Sequence, residues 1–484
     1  MSTSKIKILC LSRSYLATFI PTLGQSDREF EFFHIVQTNK EEKIVKALGG
    51  RVILNIQKTV KNALAKKESF LWKEPEDMRA ATGFNWSPIF SDRYLINFSS
   101  DLQPRIAGAI QKDLRAIFAK YKFKAFLSEP VALFVTHLIF YHCKKNNVKP
   151  LLWSNTYFSG YFYFSREHEI SVPVRSKPMN KAELKILKDR VDEYVNNIAI
   201  DKIGPIYHHK FSNLKSSPLD YFKQRKGQLP LVLKPGWVSR FIQTARLFRA
   251  IWMLINFKYI GDFMAAGSVK EHLFYLQCLF SRNAIYDRIP ESYSANNVIF
   301  PLQYEPEASI LYFAPHIVNQ LSFVETILKA LPYGKTLWVK EHPNQFGALD
   351  SKKWLALRKS YGNLRFVHGR ENGRYLIKVS SLVITISSTM GLDAIIFGRK
   401  LLVAGNVFYD NFSGVKKCYS YEDLAKELNN PSNYLIKKNL DKNKLDLFKF
   451  GKYSYIGDPQ PSSKLYDRNN LNSIIQAIHL ELGS

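Results

Sequence analysis

Three short segments in the second half of the chain gather residues able to hold a phosphorylated sugar. The first is Thr385-Ile386-Ser387-Ser388-Thr389-Met390-Gly391-Leu392-Asp393-Ala394, which sets a run of hydroxyls between a buried strand pattern and a helical one. At such a junction backbone N–H groups and the positive end of a helix favour an anion. Ser387, Ser388 and Thr389 are therefore read as phosphate-binding, with Gly391 permitting close backbone approach. Asp393, one turn into the helix, is placed to reach ribose hydroxyls. The alternative is ordinary helix capping by Ser387 or Ser388.

The second segment is Lys340-Glu341-His342-Pro343 at the end of another predicted strand. His342 there donates a hydrogen bond to phosphate, Pro343 stiffens the turn, and Lys340 is either a phosphate contact or a solvated edge residue. The third runs from Pro301 to Ser309. Its Gln303, Glu305 and Glu307 suit sugar hydroxyls or acid–base work, with Glu307 equally suited to capping a helix.

Strands and helices that alternate regularly put all three segments on one edge. From Asn297 the pattern reads strand Val298–Gln303, helix Val318–Leu331, strand Thr336–Lys340, helix Lys352–Ser360, strand Leu364–Val367, helix Gly373–Val379, strand Leu382–Ile386, helix Met390–Phe397 and strand Lys400–Ala404. This predicts a doubly wound domain, whose ligands bind beyond the carboxyl ends of the parallel strands.

The N-terminal half repeats the pattern with strand Lys5–Leu11, strand Lys124–Leu127, helix Val131–Asn146 and strand Lys149–Trp153. Glu129, between Ser128 and Pro130 at a strand end, is the candidate general base for an acceptor hydroxyl; the alternative is helix capping. Ser12-Arg13 and Asp92-Arg93 are further loop candidates, with Arg13 assigned to the acceptor side. The expected division is an acceptor domain over 1–165, a helical basic insertion over 166–295 completing it, a nucleotide-sugar domain over 296–470, and a closing helix over 471–484.

Charge and composition narrow the partners. The 484 residues carry a net charge of +28, which calls for an anionic partner, yet no zinc-finger or RRM-type signature favours nucleic acid. Between Asp201 and Ile260 there are eleven Lys/Arg against two acids. Within that stretch Ser239, Arg240, Gln243, Arg246 and Arg249 form one helical stripe, either on an interfacial helix or on a packed helix with a basic edge. Gly204 to Gly236 reads as loops. Apolar runs such as Val131–Tyr141 are too short to cross a bilayer, and the N-terminus reads as a strand rather than a signal peptide. Cys10, Cys143, Cys278 and Cys418 are far apart and form neither a zinc motif nor a disulfide framework, which fits a reducing cytoplasm.

Pro301 to Ser309, Lys340 to Pro343, and Ser387 to Ala394 followed by Gly398-Arg399-Lys400 together resemble the capsule polysaccharide biosynthesis family, relatives of β-Kdo transferases and other CMP-sugar-using glycosyltransferases. The resemblance implies a GT-B fold, two Rossmann-like domains facing across a cleft. It implies that His342, Pro343, Ser387, Ser388 and Thr389 hold the nucleotide phosphate without a metal. Where the family often has Glu, this chain has the shorter Asp393. The expectation is inverting transfer of Kdo or a nonulosonic acid from a CMP-sugar onto a glycan or lipid-linked glycan acceptor. The enzyme would work at the cytoplasmic face of an anionic membrane. The rivals are a UDP-sugar transferase or epimerase on the same fold, a glycerol-phosphate transferase, and a non-catalytic membrane-recruiting scaffold.

Overall fold

The computed structural model describes residues 5–65, 92–167, 172–200, 236–278, 280, 285–305, 308–317, 319–342, 345, 347–369, 371–436 and 438–483. Its chain divides into two compact units: residues 1–181, 247–270 and 450–484 form the first, and 182–246 with 271–449 form the second.

In the first unit, strands β1 (Ile6–Leu11), β2 (Phe30–Val36), β3 (Arg51–Asn55), β4 (Ala125–Ser128) and β5 (Lys149–Asn155) run parallel in the order β3-β2-β1-β4-β5. Helices cover both faces, so strands such as β4, Ala-Phe-Leu-Ser, are buried along their whole length. Beyond β5 the sheet turns antiparallel. Here β6 (Tyr161–Ser165) pairs with β5, β7 (Pro173–Val174) and the late strand β14 (Ser454–Ile456).

The second unit holds β8 (Asn297–Pro301), β9 (Thr336–Lys340), β10 (Leu364–Val367), β11 (Leu382–Thr385), β12 (Lys400–Val403) and β13 (Val415–Lys417). Every pairing is parallel and the order is β10-β9-β8-β11-β12-β13. Renumbered within the unit this is 3-2-1-4-5-6, the dinucleotide-fold order, with its reversal point between β8 and β11. The protein is thus an α/β chain with two Rossmann-like domains. The core of the second combines the strand residues Val298, Phe300, Val339 and Ile384 with Phe323, Ile327 and Leu357 from its helices.

Two of the expected boundaries are corrected. Residues 450–470 do not belong to the second domain: β14 adds to the first sheet, and the helix Arg468–Leu482 buries Leu471, Ile474, Ile475 and Ile478 in the first core. A strand that antiparallel pairing recruits from some 290 residues away carries no local signal of its destination. The segment 166–295 is likewise not one insertion, because residues 182–246 belong with the second unit and 247–270 with the first. The loops expected between Gly204 and Gly236 lie almost wholly outside the described residues, as does the side chain of Ser239.

Candidate functional site

The reversal point of the second sheet brings the sequence candidates together. Beyond the end of β8 comes the loop Leu302–Glu305, beyond β9 comes His342, and beyond β11 come Ser387 to Thr389. Since β8 is hydrogen-bonded to both β9 and β11, these strand ends are neighbours.

Two glutamines fix the first loop by imitating strand pairing. Gln320 Oε1 accepts from Gln303 N–H at 2.5 Å while its amide donates to Gln303 O at 3.0 Å. Gln345 Oε1 accepts from Glu305 N–H at 2.7 Å, and its amide donates back to Glu305 O. Gln303 is thereby held by its main chain, and its side chain is left available: Nε2 is buried without a hydrogen-bond partner. Burying an amide unpaired costs free energy that a bound acceptor recovers. Glu305 is half-buried, and desolvation raises its pKa even though Gln320 N–H reaches its Oε1 at 3.4 Å. Glu307 lies outside the described residues, as does Pro343.

Glu341 organises the histidine. Its carboxylate is 1% exposed and accepts from Tyr286 Oη at 2.7 Å, from Gly347 N–H at 2.9 and 3.0 Å, and from Leu349 N–H at 2.9 Å. These bonds tie residue 341 to the far side of its own loop, where Gly347 takes a φ of +101° that disfavours any residue with a Cβ. Gln345 N–H donates to His342 O at 2.9 Å and closes the turn. The His342 ring stands edge-on to Tyr304 at 5.7 Å. Desolvation, helped by the charge of Lys340, drives its pKa down to about 4, so the imidazole is neutral at pH 7 and carries a single N–H.

Lys340 is corrected. It does not face solvent or a ligand: its ammonium is 3% exposed and donates to Gly369 O at 2.8 Å and Glu341 O at 3.2 Å, tying the ends of β9 and β10. Burial lowers its pKa to about 8.

The Ser387–Thr389 turn divides its hydroxyls between two jobs. Thr385 Oγ1 accepts from Ser388 N–H at 2.9 Å and Ser388 Oγ accepts from Met390 N–H at 3.2 Å, so two N–H groups expected to meet an anion are engaged within the turn. Ser387 Oγ, by contrast, is buried with no partner, and Thr389 makes no side-chain cap. Capping is therefore done by Thr385 and Ser388, which leaves Ser387 and Thr389 as the uncommitted hydroxyls.

Gly391 and Asp393 also have different roles from those expected. A Cβ on Gly391 would lie 2.6 Å from Tyr409 Oη and 2.9 Å from its Cζ, so the close approach that this glycine permits is by Tyr409, whose hydroxyl donates to Ser388 O. Asp393 is buried and held two-pronged by Arg374: Nε to Oδ2 is 3.0 Å and Nη2 to Oδ1 is 3.2 Å. A carboxylate whose two oxygens both serve a buried guanidinium is a packing element, not a ribose ligand. Arg374 reaches it because Asn372 caps the helix Gly373–Lys378, accepting from Arg374 N–H at 3.0 Å.

The constellation just described falls inside one stretch of sequence that has known kin. Residues 281–442 match the family described as capsule polysaccharide biosynthesis protein. The capsule-family segment therefore contains Gln303, His342 and Ser387, all three strand-end elements of the site. A relative, the Protein FixF of Sinorhizobium fredii, is 22% identical over 130 residues, 26% of this chain and 28% of that protein, so the match spans little more than a quarter of the relative's length. Among solved structures, the β-Kdo 2,4 transferase KpsC of Thermosulfurimonas dismutans aligns at 13% identity, covering 72% of this chain and 87% of that one with a TM-score of 0.31. The UDP-GlcNAc 2-epimerase of Methanocaldococcus jannaschii, in complex with UDP-GlcNAc and UDP, aligns at 12% identity over 98% and 99% with a TM-score of 0.30. At those scores the strand order itself, not the neighbours, carries the fold.

The first domain has its own reversal point, between β1 and β4, and there the structure places Arg13 against Glu129. Arg13 Nη2 lies 3.2 Å from Glu129 Oε2, and Tyr15 Oη donates to Oε1 at 3.0 Å. The Glu129 side chain is 28% exposed. Asp92 is purely structural: it is fully buried and accepts from the N–H groups of Tyr94, Leu95 and Phe134. Sequence reasoning missed Gln320, Gln345, Glu341, Arg374 and Tyr15. Of these only Glu341 carried a signal, its place between two residues already singled out.

Proposed function

We propose that this chain is an inverting glycosyltransferase of bacterial surface-polysaccharide assembly. It moves an acidic ulosonic sugar of the Kdo or nonulosonic type from a CMP-linked donor to a glycan or lipid-linked glycan, at the inner face of the cytoplasmic membrane. The observation that carries the reading is the pair of buried, unpartnered polar atoms, Gln303 Nε2 and Ser387 Oγ, flanking the reversal point inside the capsule-family segment. Buried polar groups are normally satisfied, and these two stand where doubly wound folds bind nucleotides.

In this reading Ser387, Thr389 and the neutral His342 donate to the donor phosphate and stabilise it as CMP departs. Gln303 and Glu305 contact the sugar. Glu129, oriented by Tyr15 and Arg13, takes the proton of the attacking hydroxyl as the glycosidic bond forms and the bond to the CMP oxygen breaks. No metal enters the scheme; that part, like the choice of CMP, comes from the sequence resemblance.

The test is thermal unfolding with CMP, UDP, GDP and CDP, since a ligand that binds only the folded state raises its stability. CMP is expected to raise the midpoint of the wild type, and to do so less in Ser387→Ala. A larger shift with UDP replaces the donor; no shift with any nucleotide removes the enzyme reading.

A further inference from the structure

The helix Gly236–Ile255 is followed, after the non-helical Asn256, by the short helix Phe257–Ile260, and both carry large apolar side chains on the outside. Phe241, Phe248, Trp252, Ile255 and Tyr259 are 71, 68, 58, 75 and 71% exposed. At 100° per residue Phe241, Phe248, Trp252 and Ile255 fall within an arc of about 60° and extend over about 21 Å of the first helix. The opposite face is packed: Gln243, Ala250 and Phe257 recur at heptad spacing and are buried, Gln243 Nε2 lying 2.9 Å from His272 Nδ1 and Phe257 lying 4.7 Å from Phe98. The helix is anchored on its polar and small residues and presents its aromatic ones outward, the reverse of a core-packed surface helix.

Exposed Arg249 lies beside the stripe and exposed Lys258 follows on the short helix, and the sequence from 236 to 260 contains no Asp or Glu. Long cationic stems beside an aromatic stripe suit a surface whose interior is apolar and whose headgroups are negative. A second copy of the chain fits poorly, because docking stripe to stripe would bring the same cations together uncompensated. Among the described residues no helix is long and apolar enough to cross a membrane, so the geometry suits a helix lying in the interface.

We infer that this face docks side-on to an anionic lipid bilayer, with Phe248, Trp252 and Ile255 inserted at the headgroup boundary and Arg249 and Lys258 against the headgroups. The inference rests on the membrane-side location proposed above and is independent of which donor is used.

The experiment is co-sedimentation of the full chain with phosphatidylcholine vesicles, alone or with about 30% phosphatidylglycerol, at low salt where electrostatic attraction is strongest. The wild type is expected to bind the anionic vesicles at least about tenfold more tightly than the neutral ones. Phe248→Glu/Trp252→Glu, checked for an unchanged unfolding midpoint, is expected to lose at least about tenfold, and the milder Phe248→Ser/Trp252→Ser to lose part of that. If the wild type binds and both variants bind equally well, this face is not the docking surface while the membrane location stands. If the wild type binds no vesicle, both fall. Equal binding to neutral vesicles overturns the anionic assignment. A wild-type dimer in light scattering that the variants convert to monomer identifies the stripe as a self-association face and overturns the proposal.

Discussion

Arg13 and Glu129 close a bridge of 3.2 Å between the ends of β1 and β4, the two strands at which the order of the first sheet reverses. Residues 116 positions apart thus meet at the point where that sheet architecture opens toward ligands. Tyr15 holds the second carboxylate oxygen, so the orientation of Glu129 is set from two sides.

The first prediction concerns that bridge. Glu129→Gln keeps the size and removes the base, so transfer is expected to fall by about 10²–10⁴-fold while the CMP-induced thermal shift stays as in the wild type. A variant with wild-type turnover would reduce Glu129 to a loop anchor.

Ser387 and Ser388 should separate binding from stability. Ser388 Oγ supports the turn through Met390 N–H, so Ser388→Ala is expected to cost about 0.5–1.5 kcal/mol without ligand. Ser387 Oγ is buried without a partner, so Ser387→Ala should leave ligand-free stability unchanged or raise it by about 1 kcal/mol and still weaken the CMP shift. Urea titrations with and without CMP read both quantities, and the reverse pattern would exchange the two roles.

Asp393 pairs with Arg374 in a buried site, where removing one partner strands the other's charge. Asp393→Asn, Asp393→Leu and Arg374→Met are each expected to cost about 3–5 kcal/mol, and Asp393→Leu with Arg374→Met less than the sum of those two single variants. If Asp393→Asn instead left stability alone and abolished nucleotide binding, the ribose role would return.

Stability should fall on acidification through the histidines. Burial lowers His34, His142 and His342 to about 4. Unfolded histidine takes its proton near pH 6.5, so between about 6.5 and 4 the unfolded chain binds more protons than the folded one. The stability that these neutral rings contribute is present above pH 6.5 and is lost as the pH falls toward 4. His142→Gln should reduce this slope by about one proton, measured as the difference from wild type in urea unfolding between pH 7 and 4.5. An unchanged slope would mean that His142 is protonated in the fold.

The second domain was legible almost strand by strand. Thr336–Lys340 and Leu364–Val367 are predicted with the bounds observed, and Lys352–Ser360 with both helix ends, because parallel strands covered on both faces are unbroken apolar runs and their helices show a 3.6-residue period. The strand ends then had to be the binding edge, so Gln303, His342 and Ser387 followed. Strands β2, β3, β6, β7, β13 and β14 are not predicted; for β6, β7 and β14 the reason is that their pairing is antiparallel, remote or only two residues long.

By itself the sequence determined which residues would gather at the carboxyl edge of the second sheet, because local periodicity and connection length dictate a parallel order. It also determined the basic, acid-free character of residues 236–260. Only the tertiary structure decided how those residues divide their labour. Lys340 and Asp393 carry charges that look suited to a ligand, but burial makes an uncompensated charge so costly that carbonyls and Arg374 must claim them first. Ser387 and Gln303 are left with unpaired polar atoms because Thr385, Ser388, Gln320 and Gln345 meet the backbone's demands in their place. Which hydroxyl or amide is left over depends on distances of a few tenths of an ångström between elements far apart in sequence.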